Sequence, residues 1–557
     1  MASPLILRGE RTLLLDTAHP DAVGLKPLLL RFAELLASPG RLHKYRLSAC
    51  ALWAAAANRM TAAEVLRLLE QHTGQAVPAA VRQVLEREIG RYGKLRLVLD
   101  GKQLVLIADD PAWLERFVQE PALAGLLEPL SACKAVVHPA GRGSLKQTLT
   151  RMGYPVVDEA GAHSGEALAV QLLPAVGNRR LRPYQAAAVE AFCGTGHHHD
   201  GSGVVVLPCG SGKTVVGIAA LARLGVATLI LTANGESVRQ WQQELLAWTN
   251  LTHEQVGEYS GANKQVRPVT VATYQILTHR KKASEPFVHM DLFQRRDWGL
   301  IIYDEVHLLP APVFRATADI QATRRLGLTA TLVREDGNEE DVFSLVGPKR
   351  YELPWRELEA QGHIAAVAAA ELRVLLPQAQ AQKYAQATPR ARFRLAAENP
   401  QKLKLLQQLL ERHKDRPTLI IGHYLSQLRL AGQHTEAPVI TGATPQAERE
   451  RLYQLFREGG VTRLVVSKVA NFAIDLPQAE VAIELSGSYG SRQEEAQRVG
   501  RIMRPKPEGG TAYFYTLVSK NTVEEEYARN RQLFLLAQGY PYQVEEVDEA
   551  AGGGEWA

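Results

Sequence analysis

The sequence predicts an α/β protein with two doubly wound parallel-sheet domains, preceded by an N-terminal α+β region that holds a winged-helix-like segment. Three observations predict it. From Leu181 onward short apolar runs alternate with helical stretches, the rhythm of parallel α/β sheets. The apolar runs form two sets, 204–207, 228–231, 269–272, 300–303 and 325–328, then 418–421, 438–440, 463–467, 481–485 and 512–517. Upstream, helical patterns at 49–58, 61–71 and 79–92 lead into strands at 95–99 and 103–107 joined by Asp100-Gly101, the order of a winged helix.

A chain of 557 residues exceeds what one hydrophobic core serves, so several domains are expected. The expected boundaries are an N-terminal region at 1–110 with the winged-helix-like segment at about 48–107, and a small α/β segment at 111–175. A first sheet domain at 178–372, a short helical insertion at 373–398 and a second sheet domain at 399–544 follow. The acidic end, 545–557, is expected to be disordered. Hydrophobic residues at 46% and charged residues at 22% describe a soluble globular chain, and no apolar run approaches a membrane span. The first residues lack the pattern of a secretory signal, which predicts a cytoplasmic protein. Cys50, Cys133, Cys193 and Cys209 are too scattered for a zinc or redox pair. A net charge of +5 permits a polyanionic partner without requiring one.

Winged helices enter a DNA groove or dock proteins. The third helical pattern carries Arg82, Glu86, Arg87, Glu88 and Arg91, a mixed charge that argues against the groove. His197, His198 and His199 sit in a glycine-rich break; adjacent side chains do not converge easily on one ion, so a solvated loop is expected.

The chemistry is concentrated in three places. After the strand ending at Leu207 come Pro208, Cys209, Gly210, Ser211, Gly212, Lys213 and Thr214, and then a helix. The glycines let backbone N–H groups curl around phosphates, Lys213 reaches the β- and γ-phosphates, and the Thr214 hydroxyl ligates magnesium. The strand 300–303 runs into Asp304-Glu305-Val306-His307, placing two carboxylates at the end of a parallel strand, where such sheets bind ligands. Asp304 is expected to hold Mg2+ and Glu305 to polarise the attacking water. In the second set stand Gln497, Arg498, Arg501 and Arg504, a run of arginines that a simple salt-bridge network does not call for. Arginines from a facing domain stabilise charge on a transferred phosphoryl group, worth roughly 10³ to 10⁵ in rate.

In this order the blocks resemble superfamily 2 helicases, and in detail the XPB (xeroderma pigmentosum group B) family in its bacterial form. The resemblance extends to Leu181-Arg182-Pro183-Tyr184-Gln185, to Leu328-Thr329-Ala330-Thr331, to Arg334-Glu335-Asp336, and to the closing stretch from Arg531 to Tyr540. It implies two RecA-like domains, ATP and Mg2+ as cofactors, and 3′-to-5′ translocation on DNA at a single strand or fork junction. Arg182 and Gln185 would meet the adenine, and Asp475 and Gln497 would join the nucleotide site, with Arg501 and Arg504 as its arginine fingers. Arg334, Glu335 and Asp336 match an element used in strand separation. Segment 378–398, with Arg390, Arg392, Phe393 and Arg394, stands in place of a DNA-gripping thumb, and 111–175 in place of a damage-recognition domain. Backbone amides and hydroxyls near Thr232, Thr273, Thr329, Thr331, Ser467 and Lys468 would track one strand. DNA repair at the bacterial nucleoid is the implied setting, and a repair nuclease or other repair protein is a compatible partner. Two alternatives stay open: a duplex translocase without processive unwinding, and an ATP-gated scaffold that recruits repair partners.

Overall fold

The computed structural model describes residues 3–37, 41–138, 141–160, 164–174, 180–194, 201–261, 263–282, 285, 287–308, 324–330, 339–353, 355–467, 479–487, 498–500, 502, 510–537, 540 and 542–547. The chain divides into two compact units, Met1–Leu207 with Gly212–Glu352, and Leu353–Ala557 with Pro208–Ser211.

At the N-terminus β1 (Leu5–Arg8), β2 (Thr12–Asp16), β3 (Glu34–Ala37) and β4 (Leu42–Arg46) form an antiparallel sheet ordered β1-β2-β4-β3. Helices Ala49–Ala57, Ala62–Thr73 and Ala79–Arg91 share one core with this sheet through Leu13, Leu15, Tyr45, Leu52, Leu69 and Leu85. The middle helix starts in a capping box between Thr61 and Glu64 and ends at Gly74, whose φ of 68° suits a residue without Cβ. In the third helix Glu88 is buried and binds Arg11 at 3.0 Å and Arg87 at 2.9 Å, so part of its charge is spent internally.

The hairpin of β5 (Leu95–Asp100) and β6 (Gln103–Ala108) forms as expected around Gly101, but it does not stand as a wing. β5 pairs with β9 (Val156–Asp158) and β6 with β8 (Lys134–Val137), which pairs in turn with β7 (Leu127–Ser131). The winged-helix order is therefore split, its helices belonging with residues 5–47 and its hairpin with 111–160, so the expected boundary at 110 falls inside one sheet. Both hairpin edges offer backbone groups that need partners, and the local pattern does not say which strands supply them.

The same unit holds a parallel sheet of β10 (Ser202–Val206), β11 (Thr228–Thr232), β12 (Val256–Tyr259), β13 (Val269–Thr273), β14 (Leu300–Asp304), β15 (Arg324–Thr329) and β16 (Lys349–Glu352). Its order is β12-β13-β11-β14-β15-β10-β16, with the strands expected from sequence in the interior and β12 and β16 at the edges. The N-terminal segments are fastened to helix Glu339–Leu345 and to β16. Trp53 meets Phe343 with ring centroids 5.5 Å apart, Arg151 binds Asp341 at 3.0 Å, and Asn58 donates to the Lys349 carbonyl at 2.8 Å. Beneath them Asp158 binds Arg142 at 2.5 Å and Lys146 at 2.9 Å, with both cations buried.

The second unit carries β17 (Val367–Val374), β18 (Thr418–Ile421), β19 (Val439–Ile440), β20 (Arg463–Val466), β21 (Val481–Glu484), β22 (Ala512–Ser519) and β23 (Tyr542–Val547), ordered β19-β20-β18-β21-β22-β17-β23 and parallel. Two expectations change here. β17 belongs to the second sheet, not to a first domain reaching 372. Residues 545–547, expected as disordered tail, are strand paired with β17, their acidic side chains tolerated at a sheet edge.

The insertion is helical as expected, Gln378–Gln386 followed by Pro389–Ala397. Phe393, however, is buried against Tyr527 and Tyr424, with centroids 5.3 and 6.0 Å away, and anchors the insertion to its own unit.

Candidate functional site

The phosphate loop leaves β10 where the Leu207 N–H donates to the Thr329 carbonyl at 3.0 Å. Gly210 and Gly212 have φ of 77° and 83°, left-handed values that disfavour L side chains. A Cβ on Gly212 would stand 2.5 Å from Gln185 Nε2, so absence of a side chain is also a packing requirement. The Ser211 hydroxyl donates to the Pro208 carbonyl at 2.7 Å. Helix Lys213–Leu224 then starts at Gly212, directing its N-terminal N–H groups and positive dipole end toward the loop. Thr214 is its second residue. Gln185 is buried, and its Oε1 accepts the Arg182 backbone N–H at 2.9 Å, while Arg182 Nη1 donates to Tyr184 OH at 3.2 Å.

Opposite the loop, Asp304 closes β14 and Glu305 follows with φ of 52°, a strained value for a non-glycine residue and of the kind that gathers at functional sites. Lys213 Nζ stands 3.4 Å from Glu305 Oε1. Asp304 Oδ2 accepts the Trp241 indole N–H at 2.8 Å and, more weakly, the Thr232 hydroxyl at 3.5 Å. His307 Nδ1 lies 2.9 Å from Thr329 Oγ1 and 3.6 Å from Glu305 Oε2.

These contacts separate the two carboxyls electrostatically. Burial, with the adjoining Glu305 charge, pushes Asp304 up to about 6. Burial opposes ionisation of Glu305 too, but the Lys213 ammonium and His307 outweigh it and hold that carboxyl below its ordinary range. Adjacent carboxyls driven apart in this way suit different tasks.

Among the described residues no group of three or more His, Cys, Asp or Glu could hold a metal ion by itself. Mg2+ does not need one: it takes hard oxygens from one or two carboxylates and completes its shell with water and substrate phosphates. Asp304 and Thr214 supply that donor chemistry beside the glycine cradle, so these residues fit the ion.

Several sequence-derived candidates take other positions. The hydroxyls of Thr232 and Thr273 are turned inward, the first to Asp304 and the second accepting the Ile276 N–H at 3.3 Å to cap helix Tyr274–Leu277. Ser467 is buried, with its N–H on the Ile440 carbonyl at 3.0 Å. Arg392 donates to the Ala385 carbonyl at 3.0 Å and lies over Tyr384, whereas Arg390 is exposed. Arg498 is buried against Glu484, which Arg531 also approaches at 3.5 Å, so that arginine serves an internal ion cluster. Thr331, Arg334, Glu335, Asp336, Lys468, Asp475, Gln497, Arg501, Arg504 and His197 to His199 lie outside the described residues. Sequence reasoning missed Trp241. It sits on helix Gly235–Trp248 among the apolar positions that face the sheet, and its pattern signals core rather than chemistry.

Among the described residues no helix is long and apolar enough to cross a membrane. Residues 358–552 match the family model described as ERCC3/RAD25/XPB C-terminal helicase, 178–334 that of the type III restriction enzyme res subunit, and 5–130 that of a helicase conserved C-terminal domain. The chain is 50% identical to the DNA 3'-5' helicase XPB of Kineococcus radiotolerans over 99% of its own length and 98% of the relative's. It is 47% identical to the Mycobacterium tuberculosis protein of the same name, over 99% of each. To the general transcription and DNA repair factor IIH helicase/translocase subunit XPB of Encephalitozoon cuniculi it is 32% identical, over 97% of this chain and 82% of that one. With Lys213 beside an Asp-Glu pair and relatives 50% and 47% identical over 98% and 99% of their lengths, the chain belongs to the XPB family of helicases.

Proposed function

We propose that the protein is an ATP-dependent 3′-to-5′ DNA helicase or translocase that acts in DNA repair, in the cytoplasm at the nucleoid. The observation that carries this reading is the Lys213 ammonium held 3.4 Å from Glu305 beside Asp304, at the strand ends that face the glycine cradle. Lys213 stands within ion-pair reach of Glu305. Triphosphate entering the cradle draws Lys213 to its phosphates and frees Glu305, already ionised, to orient the attacking water and take up its proton. Asp304 and Thr214 would hold Mg2+, which would supply neutralisation of phosphate charge. Arg182 and Gln185 are assigned to the adenine side, and Asp475, Gln497, Arg501 and Arg504 to completing the site on closure. Each cycle of closure and opening then advances the backbone-tracking loops after Thr232, Thr273 and Ser467 along one strand.

The test is DNA-stimulated ATP hydrolysis together with unwinding of a 3′-tailed duplex. Lys213→Ala and Glu305→Gln should abolish both, with Glu305→Gln still binding ATP. Wild-type turnover in the Lys213→Ala protein would sink the assignment. One observation favours the alternative of a duplex translocase without processive unwinding. The aromatics of the insertion are spent internally, Phe393 in the core and Tyr384 with its hydroxyl accepting the Val523 N–H at 2.8 Å. Displacement of a triplex-forming strand without release of a tailed strand would decide for that reading.

A further inference from the structure

The edge strand β12 ends at Tyr259, which is buried and whose hydroxyl lies 2.9 Å from His289 Nδ1. Lys264 Nζ stands 5.5 Å and the Arg295 guanidinium 5.6 Å from the centroid of the Tyr259 ring, while the His279 ring lies 6.1 Å from that of His289. Lys264, His279, Arg280, Lys281, Lys282 and Arg295 are all exposed here. The nearby acids are partly spent: Asp291 holds Arg295 at 2.7 Å, and Glu258 accepts the Asn263 amide at 3.0 Å. Lys264 is held by the Ser260 carbonyl and the tyrosine ring.

Lys264 and Arg295 both stand over the Tyr259 ring, where cations are attracted and their positive potentials add. Burial of His289, and after it the Lys264 charge, lower its pKa below the ordinary value, so this ring faces the patch as a neutral hydrogen-bonding group. The patch adjoins the end of the sheet assigned to strand tracking. Thr273 closes β13 and caps helix Tyr274–Leu277, and His279 follows its C-cap, Thr278. An exposed set of cations at an open sheet edge, continuous with such a track, has the chemistry that neutralises backbone phosphates.

We propose that Lys264, His279, His289 and Arg295, grouped around Tyr259, form a second DNA-phosphate contact outside the nucleotide site, holding the backbone of the DNA on which the motor runs. This rests on the DNA-motor reading above. The contact reads no sequence and takes no part in hydrolysis, so it sets DNA affinity and leaves turnover alone.

The experiment compares the full chain with its Lys264→Gln/Arg295→Gln variant, binding labelled single-stranded DNA across a salt series. The expected slope of log affinity against log salt is shallower by about 0.7 per lost contact, about 1.4 for the pair. The DNA concentration that half-stimulates ATP hydrolysis should rise several-fold. DNA-free hydrolysis and the rate at saturating DNA should stay at wild type, and Lys264→Arg/Arg295→Lys should restore the slope. An unchanged slope in a variant that hydrolyses ATP normally would overturn the proposal and leave the patch to an acidic protein partner. A loss of DNA-free hydrolysis in the Gln pair would also overturn it, by assigning the two residues to the fold. Failure of the motor reading would show differently, as wild-type protein whose hydrolysis does not respond to DNA.

Discussion

Trp241→Phe removes one hydrogen-bond donor from Asp304, the carboxylate proposed to hold magnesium, together with part of a buried ring. The indole N–H lies 2.8 Å from Asp304 Oδ2, whereas the second donor to that oxygen, Thr232, stands at 3.5 Å and is a weak substitute. A hydrogen bond to a charged group contributes about 1.5–3 kcal/mol, and losing a partner that orients a metal ligand typically costs about 10- to 100-fold in metal affinity or activity. With Thr232 still in place the lower end applies, so the Mg2+ concentration for half-maximal ATP hydrolysis should rise about 10-fold. The smaller phenyl ring leaves a cavity, so the unfolding midpoint should fall, and the titration is run well below it. DNA-stimulated hydrolysis titrated with magnesium at saturating ATP is the assay, and excess Mg2+ should recover most of the maximal rate. A wild-type magnesium requirement would refute the reasoning. A loss of rate that magnesium does not recover would do so equally, because it would mark Trp241 as a packing residue alone.

Gly217→Ala should reach the same carboxylate indirectly, since a Cβ there would stand 2.7 Å from Trp241 Cη2; the magnesium titration should shift in the same direction as for Trp241→Phe. Asp158→Asn leaves the buried Arg142 and Lys146 without their carboxylate and should destabilise the first unit by about 3–5 kcal/mol, read by denaturant melts of the variant. Burial opposes the charge on Asp158, but Lys146 and Arg142 outweigh it and depress its pKa in the fold below the ordinary 3.8. That stabilisation is therefore present above about pH 4 and lost as pH falls toward the folded value, so wild type and variant should converge in acid. Glu484→Gln leaves Arg498 and Arg531 buried without their anion and should lower second-unit stability by about 3–5 kcal/mol, measured by hydrogen exchange on β21 and β22.

The interior strands of the first sheet, and those of the second except β17, were legible because strands buried on both faces of a parallel sheet are continuous aliphatic runs, as in Leu300-Ile301-Ile302-Tyr303. Of the edge strands β19 was legible, and the other three were not. Val256-Gly257-Glu258-Tyr259, Lys349-Arg350-Tyr351-Glu352 and Tyr542-Gln543-Val544-Glu545-Glu546-Val547 are half polar, and only a neighbouring strand makes them strands. β17 opens with Val367-Ala368-Ala369-Ala370-Glu371, good helix formers that a central place in a sheet overrides. At the site, Lys213, Asp304 and Glu305 could be read from spacing because phosphate chemistry fixes the spacing. Trp241 could not, since its bond joins two elements 63 residues apart and leaves no local mark. Arg498 misled for the same reason, its carboxylate, Glu484, lying on β21.

The place of β17 also sets an order of biosynthesis. It lies between β22 and β23, so both neighbours come from the far end of the chain, while β1, β2, β3 and β4 draw their partners from residues 5–46. At about 5–20 residues per second a ribosome needs about 7–30 s to deliver residue 512 after residue 367. The first unit can complete its sheets while that strand waits, both edges unsatisfied. Its three consecutive alanines make the wait less hazardous than a fully aliphatic strand would.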